Sequence, residues 1–159
     1  MNVLIVYDSV FGNTEQIARA IGDTISTKEP VQTLRVNSVK TENIRGVDLL
    51  IVGSPTRGFR PTEAIQTFLK ALDQTDLKGV RVATFDTRIM LSDIKSPFFR
   101  FIVNTGGYAA NVIGRHLKKL GGYLLVPPEG FFVSGQEGPL KDGELERAGN
   151  WALQLITHS

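Results

Sequence analysis

The chain has 159 residues, 42% of them hydrophobic, with 18 basic and 16 acidic side chains and a net charge of +2. One core and a single domain over 1–159 are the expectation, and a charge so nearly balanced does not point to nucleic acid. There is no cysteine, which excludes disulfides, thiolate metal sites, iron–sulfur clusters and a cysteine nucleophile. No signal-peptide pattern opens the chain and no apolar run is long enough to span a bilayer. The expectation is therefore a cytoplasmic protein without an integral membrane segment.

Strand and helix signals alternate in chain order, the pattern of parallel strands joined by helical crossovers. The unbroken apolar run Val3-Leu4-Ile5-Val6-Tyr7 reads as a strand buried on both faces. It breaks into Asp8-Ser9-Val10-Phe11-Gly12-Asn13-Thr14 and then into a helix, capped by Asn13 or Thr14, with Ile17, Ala18, Ile21 and Ile25 at helical spacing. Val31 to Val36 alternates apolar and polar, as a strand at a sheet edge does, whereas Asp48 to Val52 is continuous and belongs inside. Pro61-Thr62 opens a second helix whose Ile65, Phe68, Leu69 and Leu72 share a face, and Val80 to Phe85 is the fourth strand. A helix from about Tyr108 to Leu120 buries Ile113, Leu117 and Leu120 and ends at Gly121-Gly122. Tyr123 to Val126 and Phe131 to Val133 read as one strand interrupted by Pro127-Pro128-Glu129-Gly130. Proline cannot donate a ladder bond, so this is the other edge. Asp142 starts the last helix, with Leu145, Ala148, Ala152 and Leu155 on its core face. With the second and fifth strands at the edges, the fold class is α/β, a three-layer sandwich around a five-stranded parallel sheet of order 2-1-3-4-5.

In that order the topological switch lies between strands one and three, and a ligand belongs beyond their carboxyl ends. The first loop suits a phosphate. Ser9, Asn13 and Thr14 carry short hydrogen-bonding side chains, Gly12 lets the backbone come close, and the helix presents its free N–H groups and positive dipole end. The loop after strand three reads Gly53-Ser54-Pro55-Thr56-Arg57-Gly58-Phe59-Arg60-Pro61, stiff at its prolines and permissive at its glycines. The loop after strand four begins at Asp86-Thr87-Arg88 and runs to about Gly107, a length that usually signals function or disorder. Neither a Gly-x-Gly-x-x-Gly nor a Gly-Lys-Ser/Thr signature follows the first strand, which argues against dinucleotide and nucleoside triphosphate sites. His116 is expected to face solvent and His158 to lie in the tail, neither with a metal-ligand neighbour.

Ser9-x-x-Gly12-Asn13-Thr14, Gly53-Ser54-Pro55-Thr56-Arg57 and Phe85-Asp86-Thr87-Arg88, in register with the strand pattern, resemble the three flavin mononucleotide (FMN) loops of the flavodoxin family. The resemblance covers almost the whole chain and implies a flavodoxin-like fold. It implies that Ser9, Val10, Phe11, Gly12, Asn13 and Thr14 hold the FMN phosphate, and that Ser54, Pro55, Thr56, Arg57, Gly58 and Phe59 line the ring, with Phe59 stacking. A carbonyl near Gly58 would accept a hydrogen bond from the reduced ring after a peptide flip. Asp86, Thr87 and Arg88 would supply amides to the pyrimidine end.

The implied function is a shuttle of single electrons between redox partner proteins, a reductase and an acceptor. The alternatives are an FMN-dependent oxidoreductase of flavodoxin type, either a quinone reductase or a protoporphyrinogen oxidase, and a binding module that has lost flavin. The chain departs from the family in lacking its acidic face: Arg81 to Leu120 carries seven basic residues against two acidic ones. The family's usual Trp and Tyr flanking the ring are also missing from the obvious positions, with the only Trp, Trp151, in the last helix. The basic, apolar segment Phe98 to Val103 reads as a short core helix, a lid or a docking face.

Overall fold

The computed structural model describes residues 1–104 and 107–157, apart from the side chains of Phe99, Ile102, Val103 and Asn104; His158 lies outside the described residues. Its strands are β1 (Val3–Tyr7), β2 (Val31–Arg35), β3 (Leu49–Pro55), β4 (Arg81–Ile89), β5 (Tyr123–Leu124) and β6 (Glu129–Val133). Its helices are α1 (Asn13–Ser26), α2 (Thr41–Ile44), α3 (Glu63–Ala71), α4 (Gln74–Leu77), α5 (Pro97–Asn104), α6 (Ala109–Lys119) and α7 (Glu144–Thr157). All strand pairs are parallel and the order is β2-β1-β3-β4-β5, with β6 also on β4. The order 2-1-3-4-5 is as expected. The fifth strand is split as the proline pair requires, β5 pairing the start of β4 and β6 its end.

The central strands are hydrophobic without alternation because both faces of the sheet are covered. Val3, Ile5, Tyr7, Leu49, Ile51, Ala83 and Phe85 pack on one face beneath α1 and α7. Leu4, Val6, Leu50, Val52 and Val82 pack on the other beneath α3 and α6. Phe85, Phe131 and Trp151 meet edge to face at centroid distances of 6.0 to 6.1 Å, each pair worth about 0.5–1.5 kcal/mol beyond burial. The tryptophan is thus a core residue, far along the chain from any ligand loop.

Several boundaries differ from expectation, each for a local reason. Val36 leaves the second strand for a single 3-10 turn at 36–38. The four-residue helices α2 and α4 are too short for apolar periodicity to reveal. The fourth strand does not stop at Phe85 but continues through Asp86, Thr87 and Arg88 to Ile89. Segment 98–103 forms part of α5, but Phe98 and Phe101 are 66% and 68% exposed, so these two are not core residues.

In α7, Leu145 is exposed and Glu144 takes the buried position. Its carboxylate accepts the Phe132 N–H at 2.7 Å and two Arg147 N–H groups at 3.0 and 2.7 Å. Burial works to raise this carboxyl, but the hydrogen bonds from Arg147 and Phe132 outweigh it and hold the group below the usual glutamate range. His116 is half-buried rather than solvent-facing, its Nε2 lying 3.1 Å from the Leu69 carbonyl and tying α6 to α3.

Candidate functional site

The residues between β1 and α1 form a loop that organises itself. Gly12 is the residue before the helix and has φ +91°, a left-handed conformation that glycine adopts without strain. The residue before the helix has no side chain to cap it, so the expected capping by Asn13 or Thr14 is replaced by an arrangement centred on Ser9. The Ser9 hydroxyl accepts the N–H groups of Gly12 at 3.1 Å and Glu15 at 3.4 Å, while Arg35 at the end of β2 donates to the Ser9 carbonyl at 3.0 Å and to Asp8 at 3.3 Å. Arg35 therefore pins the loop from outside, a role no motif around it announces.

Among the described residues, the backbone N–H groups of Val10, Phe11, Asn13 and Thr14 have no hydrogen-bond partner. Orphan donors gathered at a helix N-terminus, where the dipole is positive, make an anion cradle that needs no lysine or arginine of its own. Two further contacts fix the cradle. Thr14, 1% exposed, shares a hydroxyl hydrogen bond of 2.7 Å with Thr87 on β4. Asn13 Nδ2 donates to the Glu137 carbonyl at 3.0 Å, and its amide packs where a Cβ on Gly138 would come within 2.6 Å.

The loop after β3 closes in a tight turn. Arg57 and Arg60 exchange backbone hydrogen bonds of 2.9 and 3.1 Å around Gly58 and Phe59, whose φ values are +55° and +65°. Positive φ at both central positions is the type I′ signature, and Phe59 adopts it at a cost of about 1–2 kcal/mol. Ser54, fully buried, accepts the Thr62 N–H at 3.0 Å, and so couples the loop to the start of α3.

A cavity of about 290 Å³ runs between these loops. It brings together Ser9, Val10, Phe11, Asn13, Thr14, Pro55, Thr56, Arg57, Gly58, Thr87 and Arg88 from the sequence expectation and adds Ile89, Val133 and Gln136. Gly12 shapes the loop without lining the cavity, and Ser54 lies beneath it. Phe59 lines a smaller neighbouring cavity of about 170 Å³ with Ile94 and Tyr108, and the two share Thr56, Gly58, Arg88 and Ile89.

Asp86 lines neither cavity. It is fully buried, and its two oxygens accept Arg88 Nε and Nη2 at 2.6 and 2.8 Å and the Ala110 N–H at 2.9 Å. Burial pushes this carboxyl up, against the pull of Arg88, of the Ala110 N–H and of Thr56. The Arg88 guanidinium lies 3.5 Å from the centre of the Tyr108 ring, and Thr56 accepts the Ala109 N–H at 2.9 Å. Sequence reasoning missed Tyr108 because it follows a long connection, and missed Val133 and Gln136 because β6 reaches the site only through its pairing with β4.

The class that the fold and the site define is a doubly wound parallel sheet with an uncharged cradle of backbone N–H groups at its switch point. Residues 4–99 match the family model of the flavodoxin domain, and the chain belongs to that family. It is 33% identical over 87 residues, 52% of this chain, to a flavodoxin of Maridesulfovibrio salexigens. It is 32% identical over 104 residues, 64% of this chain, to a probable flavodoxin 1 of Bacillus subtilis. The chain spans 60% and 63% of the length of those two relatives. Its fold superposes on a flavodoxin from the domain Archaea with a TM-score of 0.79 at 21% identity, covering 99% of this chain and 97% of that one.

Proposed function

We propose that this protein binds FMN and passes electrons one at a time between redox partner proteins in the cytoplasm. The observation that carries the reading is the set of unpartnered N–H groups on Val10, Phe11, Asn13 and Thr14, residues that line one cavity together with Thr56 and Arg88. The donor set fits the group. Backbone amides and the Ser9 and Thr14 hydroxyls suit a phosphate, and the turn at Arg57 to Arg60 and the end of β4 suit the two sides of a planar ring.

When bound, FMN supplies the one-electron and two-electron chemistry. The protein's part is positional. The Ser9 hydroxyl keeps the amides of Gly12 and Glu15 turned to the loop, which leaves the remaining donors for the phosphate. The Thr14 and Thr87 hydroxyls join the phosphate loop to β4. Gly58 lies in the left-handed region at φ +55°, which glycine adopts without strain, and a Cβ built there would meet no atom within 4 Å, so the residue itself offers little resistance to reversal of its peptide. Phe59 and Tyr108 supply aromatic surface, and the Arg88 guanidinium covers one Tyr108 face.

Partner docking through α5 accords with the exposed Phe98 and Phe101 and with the basic Lys95 and Arg100 beside them, a surface complementary to an apolar face with acidic surroundings. Among the described residues no helix is long and apolar enough to cross a membrane.

The test is the absorbance spectrum of the purified protein, with identification of the flavin released on denaturation. A yellow protein that yields FMN supports the reading, and a colourless one that cannot be reconstituted with FMN overturns it. A reductive titration then separates shuttle from enzyme. Two resolved one-electron steps fit the shuttle, and direct reduction by NAD(P)H with quinone turnover would replace it with an oxidoreductase.

A further inference from the structure

Two arginines border the cavity of about 290 Å³ between the loops, and they are held differently. Arg57 is exposed, with its guanidinium 5.7 Å from the centre of the Phe11 ring. The Arg88 side chain is only 14% exposed, and its surroundings fix it on three sides. Nε and Nη2 form a bidentate pair with Asp86, Tyr108 lies against the guanidinium plane, and at Gly130 a Cβ would come within 2.3 Å of the guanidinium carbon. Only glycine at position 130 leaves the group its place. Nη1, away from the edge that Asp86 occupies, makes no hydrogen bond among the described residues. Among the described residues no buried side-chain nitrogen lacks a hydrogen bond, so Nη1 is a donor that water reaches, on a guanidinium whose other edge is fully engaged. The residue lines both cavities, and Asp86 lines neither. The pair is therefore a fixed dipole with its positive end at the cavity, and Asp86 orients the cation more than it cancels it.

Resting on the FMN reading above, we propose that Arg88 is the ring-end cation of the site and that its open Nη1 offsets the negative charge the ring acquires on full reduction. Uptake of two electrons and one proton adds one negative charge to the ring. In a site without a cation that charge weakens binding of the reduced form; with Arg88 in place the reduced form is held about as firmly as the oxidised one. Arg88 acts here as an electrostatic positioning residue for the cofactor, and the charge beside the ring is one of the means by which a protein tunes a flavin.

The experiment measures the dissociation constants of oxidised FMN and of dithionite-reduced FMN, without oxygen, for the native protein and for R88K, R88Q and the double variant D86N/R88Q. For the native protein the reduced form binds within about tenfold of the oxidised form. R88Q raises the ratio of reduced to oxidised constants by about tenfold, and R88K, which keeps the charge, changes it by less than about threefold. The double variant leaves no unpaired buried charge and carries the comparison if R88Q does not fold. A merely structural Arg88 would weaken both forms equally, so an unchanged ratio in a glutamine variant that still binds oxidised FMN overturns the proposal. So does a native ratio beyond about tenfold, which needs no variant. A native protein that binds no oxidised FMN would instead overturn the FMN reading on which this inference rests, a distinguishable outcome.

Discussion

At one end of the cavity the groups on offer are backbone amides from a single stretch, residues 10 to 14, aligned by the Ser9 hydroxyl and by the left-handed turn at Gly12. At the other end they are the side chains of Thr56 and Arg88, the latter held by a buried carboxylate, by the Tyr108 ring of the neighbouring cavity and by the space at Gly130. The first end is local and uncharged, and depends on conformation. The second is assembled over long range around a buried ion pair. A backbone cradle suits a group that every ligand of the class shares, whereas a side-chain cradle can be altered one residue at a time to change what the bound group does. That contrast predicts different failures at the two ends.

The largest effect is expected at the Arg88 end. Asp86→Ala leaves the Arg88 guanidinium without its partner in a site where its side chain is 14% exposed, and removal of one member of a buried pair costs about 3–5 kcal/mol. Urea unfolding should show that loss, and a cost below about 1 kcal/mol would mean that water reaches the pair freely. At the cradle the damage should be smaller and conformational. Gly138→Ala combines a φ of +101° with a Cβ pressed against the Asn13 amide, for a cost of about 1–2 kcal/mol. It should weaken binding of FMN more than of riboflavin, since the disturbance falls on the phosphate side, and equal weakening of both would blur the division between the two ends.

Thr14→Val removes the hydroxyl contact that joins the ends and should cost about 1 kcal/mol, with a matching loss of FMN affinity by fluorescence titration. The smallest effect belongs to a residue that lines neither cavity. Glu144 has its folded-state pKa depressed, so its contribution is present above the unfolded value of about 4.3 and is lost as pH falls through the lower folded value. Glu144→Gln should flatten the fall in thermal stability below about pH 5 and leave FMN affinity unchanged.

The same division governs what could be read from the sequence. The cradle was legible because its chemistry is contiguous: an apolar strand, small polar residues, one glycine and then helical periodicity, all within residues 3 to 25. The sheet order was legible from the contrast between the alternating Val31 to Arg35 and the continuous runs inside. The Arg88 end was not. Asp86-Thr87-Arg88 reads as a polar break, yet it stays in the strand because residues two apart share a face, which lets Arg88 pair with Asp86 inside the protein. Leu145 was placed in the core by periodicity alone. The structure prefers Glu144 there because that carboxylate satisfies the otherwise open Phe132 N–H. Tyr108 and Gln136 gave no signal, since what brings each to its own cavity is the tertiary arrangement around β4.

The strand β4 is longer than its neighbours: β3 ends opposite Thr87, and the last two rungs, Arg88 with Phe132 and Ile89 with Val133, are held by β6 alone. The Arg88 end of the cavity is therefore mounted on sheet, and its precision is inherited from the count of residues between Pro127 and Gly130. Deleting one residue there would exchange the inward and outward faces of β6, close the space at Gly130 and carry Gln136 away from the cavity wall. Length variation in this protein should accordingly be tolerated in the connection that carries α5 and forbidden in the short stretch before β6, even though that stretch never touches the cavity.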